Sequence, residues 1–336
     1  MNFFKKVNID VYRFIATLMV VAIHIYPLAS FSEDIDYIVT RVIFRVALPL
    51  FLMITGYFVL GKAKNNKSVI KEYTFKIIKL YLISILIFLP LNIYNGYFND
   101  FDVIEVLKDF LFNGTFYHLW YFSSLILGLW ILYFLIKNLD IKWIFIIVSI
   151  LYIIGLLGDS YFGLIKNIPA INSFYEFIFN IFDYTRNGLF YTPIFLYIGY
   201  LLSIKNIKVG NKENIILIIL FLILLIIEGS ILYYYEIPRH TSMYIFLVPL
   251  SFFIFRYVIS NLNGSNRKLR NISSWIYILH PFFIAIFHFI SERARFPLLN
   301  NSLVSYISVV ILTISFILII KKVKDVLVNG KRIIKR

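Results

Sequence analysis

The chain has 336 residues, 60% hydrophobic and only 15% charged, with no cysteine and a formal net charge of +15. Soluble domains run at about 45–50% apolar and about 25% charged, so this composition is that of an integral membrane protein and leaves no room for a large soluble domain. The missing cysteines exclude disulfides, thiolate metal sites and a thiol nucleophile, and the positive charge, which falls mostly in short loops between apolar runs, is read as membrane topology rather than nucleic-acid binding.

The expected fold is an all-α polytopic membrane protein with about ten transmembrane helices, forming a single domain over residues 1–336. Each span needs about 20 mostly apolar residues, and lipid admits helices rather than open strands. The candidate spans are 8–30, 38–60, 76–95, 118–136, 142–157, 187–203, 214–235, 241–260, 272–291 and 302–320. Lys5 and Lys6 precede the first run, but Arg13 and His24 interrupt it and no small-x-small cleavage site follows. It is therefore read as a retained span rather than a signal peptide.

Arg13 and His24 are eleven residues apart. On a helix that spacing puts both on one face, about 16 Å apart along the axis. Asp10, three residues before Arg13, can pair with it on that face. The alternative to a functional stripe is an interfacial ion pair and a satisfied core histidine. A cation and a histidine sharing one stripe of a span favour a protein interior or a water-filled path.

The second run carries Arg41 and Arg45 one turn apart, and either a cationic pocket or, for Arg41, snorkelling to the interface accounts for them. The fourth run opens on Tyr117-His118-Leu119-Trp120-Tyr121 and the sixth on Arg186-Asn187-Gly188. Glu228 lies mid-run in the seventh, to pair with a buried arginine or face a cavity. Arg239-His240 opens the eighth, and Arg256 near its end is expected to snorkel. The ninth holds Tyr277-Ile278-Leu279-His280-Pro281, where the proline frees the Tyr277 carbonyl from its helical bond. His288 is expected to be structural or interfacial. Aromatics at the loop mouths, including Phe116, Tyr117, Trp120, Tyr121, Tyr184 and Tyr191, suit either an interfacial belt or stacking on a sugar.

Loop charges orient the chain. One set of loops and both termini carry 23 basic residues against four acids, and the opposite set carries six basic residues against twelve acids. The positive-inside rule places both termini in the cytoplasm, and an even number of spans keeps the alternation. No glycine-rich phosphate loop, HExxH zinc motif or Gly-x-Ser-x-Gly elbow is present, and five scattered histidines give no metal spacing.

At these residues the chain resembles the acyltransferase type 3 family of membrane proteins. The resemblance rests on Arg13-x10-His24, on Arg45-Val-Ala-Leu-Pro49-Leu-Phe51 through Gly56-Tyr57, on His118-Leu-Trp120-Tyr121 and on Tyr277-Ile-Leu-His280-Pro281. Asp183-Tyr-Thr-Arg186-Asn187-Gly188 and Arg239-His240-Thr-Ser242-Met243-Tyr244 further resemble the membrane halves of vancomycin-resistance serine racemases, and a racemase activity is not expected of these residues.

The resemblance implies ten spans, cytoplasmic termini and a bacterial cell membrane. It also implies transfer of an acyl group, usually acetyl, from cytoplasmic acetyl-CoA or another acyl-CoA to a hydroxyl of an extracytoplasmic glycan or small acceptor, with no metal. His24 is the expected general base or transient acyl carrier. Arg13 suits donor phosphates or the acyl carbonyl, and Arg45 and His280 the donor or the oxyanion. Arg41, His118, Trp120, Arg186, Arg239 and Tyr277 are expected to line the substrate path. The alternative is a transporter of a small polar solute such as serine. The expected partners are membrane lipid and an extracytoplasmic glycan or small hydroxyl acceptor, nucleic acid is not expected, and oligomeric state is unreadable from composition.

Overall fold

The computed structural model describes residues 8–99, 102–205, 210–262, 264–294 and 297–334. Lys5, Lys6, Asp100, Lys208, Arg295, Lys335 and Arg336, which entered the loop-charge reading, lie outside the described residues. Helix dominates the described residues, and no strand element occurs among them. The principal helices are α1 (Ile9–Ile25), α2 (Glu33–Ala63), α3 (Lys67–Tyr94), α4 (Trp120–Asn138), α5 (Ile141–Leu157), α6 (Pro169–Ile181), α7 (Thr192–Ile204), α8 (Asn211–Tyr234), α9 (Leu247–Ser260), α10 (Arg267–Ala294) and α11 (Ser302–Ile334). Each of the ten apolar runs carries one of these helices. Six of them, α2, α3, α4, α8, α10 and α11 as far as Val326, are long and apolar enough to cross a membrane, while α5, α7 and α9 are shorter apolar helices. Phe75, Leu86, Ile216 and Ile311 are exposed on these helices, as expected of side chains that meet lipid.

The chain forms two compact units, residues 1–40 with 261–336 and residues 41–260. In the first unit α1 packs against α10 and α11, and α10 against α11. Asn8 caps α1 by accepting from the Asp10 amide at 2.9 Å. The helix ends at Ile25, several residues before the expected span end at 30. Tyr26 takes the left-handed conformation (φ 57°) and donates back to Ala22, and Pro27 follows. His24 therefore sits in the last turn rather than within a longer helix. The exit is fastened to the start of α11: Ser302 Oγ donates to the Pro27 carbonyl at 2.8 Å, and the Ser302 amide donates to Ser30 Oγ at 2.8 Å.

In the second unit α7 is buried along nearly its whole length and packs against α2, α4 and α5. Its closest approach is to α2, where Gly199 faces the Met53 carbonyl and Gly56 faces the Leu196 carbonyl. α2 is not uniformly α-helical: Tyr37–Val42 and Gly56–Leu60 are π-helical and Ile43–Val46 is 3-10. Such departures re-aim side chains within a helix, and π segments recur at functional sites.

Two buried charges differ from expectation. Arg256 does not snorkel; it is buried and donates to Asn214 Oδ1 at 2.6 Å. Glu228 makes no ion pair with an arginine among the described residues. Its carboxylate accepts from the amides of Ile245 and Phe246 at 2.6 and 3.0 Å and from the Tyr161 hydroxyl at 2.7 Å. It thus serves the backbone that leads into α9. Glu228→Ala leaves three donors unsatisfied, and at about 1–3 kcal/mol for each buried group the loss is severe. The expected outcome is a marked fall in the melting midpoint of the purified protein, with Glu228→Gln retaining part of it.

Candidate functional site

The first unit holds a histidine pair and an arginine pair. On α1, His24 stacks against His280 of α10, ring centroids 5.4 Å apart and planes at 29°. Pro281 cannot donate to the Tyr277 carbonyl, and His280 Nδ1 takes that carbonyl at 2.8 Å, with the Ile276 carbonyl at 3.1 Å. A nitrogen that faces two carbonyls carries the proton, so neutral His280 has its lone pair on Nε2. In that tautomer His280 offers a base rather than an oxyanion donor. Tyr277 packs beside it, ring centroids 6.2 Å apart.

Asp10 is fully buried and serves two arginines. Oδ1 accepts from Arg13 at 3.1 Å and from Arg270 Nε at 3.1 Å, and Oδ2 accepts from Arg270 Nη2 at 3.3 Å and from the Asn266 amide at 2.7 Å. One carboxylate thus holds two guanidinium groups at the start of α1. The Arg13 side chain keeps 20% of its surface exposed, enough to meet an anion. α1 is continuous from Asp10 to His24, so the one-face relation of Arg13 and His24 holds.

The second unit gathers Arg41, Arg45, Arg186, Asp159 and His240. Arg45 is buried and donates to Thr241 Oγ1 at 3.2 Å and, at 3.4 Å, to the carbonyl of Arg41. The Tyr244 hydroxyl donates to the same carbonyl at 2.9 Å. Arg186 lies over the rings of Trp120 and Tyr184, at 5.0 and 4.5 Å from their centroids. Burial and the like charges of Arg45 and Arg41 bring its pKa down to about 10, with Asp159 and Tyr184 opposing; it stays charged at neutral pH. His240 Nδ1 lies 2.8 Å from Ser242 Oγ and 3.4 Å from Asp159 Oδ2. Despite that carboxylate, burial, Arg186 and Arg45 lower its pKa to about 4, so the ring is neutral at pH 7.

This depression carries a pH signature. Between about 4 and the ordinary 6.5, the unfolded state binds the His240 proton and the folded state does not. Stability is therefore full above about pH 6.5 and falls as the pH drops toward 4, by up to about 3 kcal/mol at 1.36 kcal/mol per pH unit. Melting midpoints measured from pH 8 to pH 4 should show this loss. His240→Gln should flatten it, and an unchanged profile would count against the neutral ring.

The remaining candidates have defined surroundings. His118 is buried, its ring packed against Phe88, Phe116 and Tyr117. Arg239 is exposed, stacks at 3.7 Å over Phe179 and donates to the Asp183 carbonyl at 2.9 Å, bracing the segment before Arg186. His288 is exposed. Asp159 was counted from sequence only as loop charge; it is fully buried beside His240. No group of three or more metal-ligating His, Cys, Asp or Glu side chains occurs among the described residues.

The family model described as "Acyltransferase domain" matches residues 6–322. The chain is also similar to a serine/alanine racemase of Enterococcus gallinarum. Identity is 40% over 320 residues, covering 93% of this chain and 45% of that protein. An amino-acid racemase of Enterococcus faecalis is 36% identical over 333 residues, covering 97% of this chain and 46% of that protein. The chain thus spans under half the length of these curated relatives. No solved structure matches it.

Proposed function

The chain belongs to the acyltransferase type 3 family, and from that premise we propose that it is a membrane O-acyltransferase. It is a multi-pass protein of a family of bacterial membrane proteins. In this reading ten helices span the membrane with both termini in the cytoplasm. An acyl group, acetyl in the simplest case, passes from a cytoplasmic acyl-CoA to a hydroxyl of an extracytoplasmic glycan or small acceptor.

The observation that carries the reading is the stacked His24–His280 pair, one member of which has its tautomer pinned by a carbonyl that a proline sets free. An acceptor hydroxyl needs a base to attack a thioester, and a histidine near neutrality supplies one. The acceptor oxygen bonds to the acyl carbon, the carbon–sulfur bond breaks, and the proton taken by His24 passes to the departing thiolate. Arg13, held by Asp10 and partly exposed, suits phosphates of the donor. Arg41 and Arg45 supply positive charge to a substrate anion in the second unit.

A second reading, passage of a small polar solute such as serine, draws on the amino-acid racemases at 36–40% identity. One experiment separates the two. The purified chain is placed in liposomes with acetyl-CoA on one side and labelled serine on the other. Consumption of thioester with transfer to a hydroxyl is the expected result. Serine flux without thioester consumption would replace acyl transfer with transport.

A further inference from the structure

Within the second unit, Arg186 and Asp159 each keep an unused polar atom in the interior. Arg186 Nε is buried and makes no hydrogen bond among the described residues. Its stacking on Trp120 and Tyr184 occupies the faces of the guanidinium and leaves the in-plane N–H edge for a partner. Asp159 Oδ1 is fully employed, accepting from the amides of Ser242 and Met243 at 2.7 and 2.9 Å and from Ser160 Oγ at 2.9 Å. Its Oδ2 is buried and makes no hydrogen bond among the described residues, and His240 Nδ1 lies 3.4 Å from it.

The charges do not balance either. Arg45 and Arg186 act on one another through their like charges, and Asp159 opposes both. Buried cations in excess of carboxylates are costly unless an anion joins them. A planar carboxylate matches the in-plane edge of a guanidinium. Asp159 Oδ2, which makes no hydrogen bond among the described residues and has only the His240 contact at 3.4 Å, suits a hydrogen-bond donor on the same ligand. Phosphate would answer the cations but would set a like charge against Asp159. Tyr184, on which Arg186 stacks and whose ring lies 4.7 Å from His240, is 39% exposed and borders the cluster.

We propose that Arg186 and Asp159 form a binding site for a small 2-hydroxy or 2-amino acid. The carboxylate sits on Arg186 and the hydroxyl or ammonium of the neighbouring carbon donates to Asp159 Oδ2. His240, held neutral, adds no competing charge. The assignment holds whether the chain transfers acyl groups or moves a solute, because binding is read without a thioester. Failure of acyl transfer and failure of this site are therefore separate results.

The test is a titration of the purified full chain with acetate, glycolate, glycine and inorganic phosphate, followed by ligand-observed NMR. Glycolate or glycine should bind at least about tenfold more tightly than acetate, the scale of one charge-assisted hydrogen bond. Phosphate should bind no better than acetate. Arg186→Gln should weaken binding at least about tenfold. Asp159→Asn, which keeps the Oδ1 acceptor, should bring glycolate and glycine down to the level of acetate. If Arg186→Gln does not fold, Arg186→Lys keeps the charge without the fork and should still weaken binding. Equal binding of acetate, glycolate and glycine, tightest binding of phosphate, or wild-type affinity in a folded Arg186 variant would each overturn the proposal.

Discussion

His24→Ala should reduce acyl transfer by about 10²–10⁴-fold, the range for loss of a positioned general base, equal to about 3–5 kcal/mol of transition-state stabilisation. The chain should still insert and migrate as a single species, because the exit of α1 is held by Ser302, Ser30 and Pro27 rather than by the histidine. What the variant removes is one ring of a stacked pair. His280→Ala should impair the same step while also releasing the Tyr277 carbonyl. His280→Asn keeps an amide donor for that carbonyl but loses the lone pair of Nε2. If His280 works as a base or relay, Asn will not rescue activity; if it only holds the helix, Asn will. Arg13→Ala should raise the KM for the donor more than it lowers kcat, since its partly exposed side chain is assigned to binding. Wild-type thioester consumption by folded His24→Ala protein would remove His24 as the base of the reaction.

The apolar runs were legible because a span is long and its polarity contrast with the loops is steep; each of the ten carries a helix. The Asp10–Arg13 pair was legible for a local reason, a three-residue step on one helix. Its extension to Arg270 was not, because that contact joins residues 260 positions apart. The same boundary holds at Pro281. A freed Tyr277 carbonyl follows from proline geometry, but only side-chain placement shows that His280 takes it and so sets its own tautomer. The end of α1 at Ile25 was hidden because Tyr26 and Leu28 continue the apolar run while the backbone of Tyr26 turns left-handed. Glu228 gave no partner in sequence since its partners are backbone amides and a tyrosine hydroxyl, which leave no charge pattern. Asp159 was lost among loop acids for the opposite reason, since burial is invisible to charge counting.

Gly199→Ala is the substitution expected to harm the fold most for the fewest atoms added. A Cβ on Gly199 would fall on the carbonyl oxygen of Met53, with the Met53 carbonyl carbon and Cα close behind. Three residues earlier on α7 the relation is mirrored, as a Cβ on Gly56 would fall on the Leu196 carbonyl. The two glycines thus set one antiparallel seam between α7 and α2, with backbone against backbone at each contact. In lipid, helices gain little from hydrophobic association, and close approach through small residues is a main source of their cohesion. A flexible side chain can move away from a new methyl; a helical carbonyl moves only with its helix. Overpacking costs of about 1–3 kcal/mol are then a lower bound, and Gly199→Val should yield no folded protein. Gly56→Ala should behave like Gly199→Ala. The double variant should cost less than the sum, because once the seam is opened the second methyl meets less resistance. Ile219→Ala, on the exposed face of α8, should leave the melting midpoint close to wild type. Thermal melts in detergent read all five variants, and a wild-type midpoint for Gly199→Ala would mean that α7 and α2 do not meet along this seam.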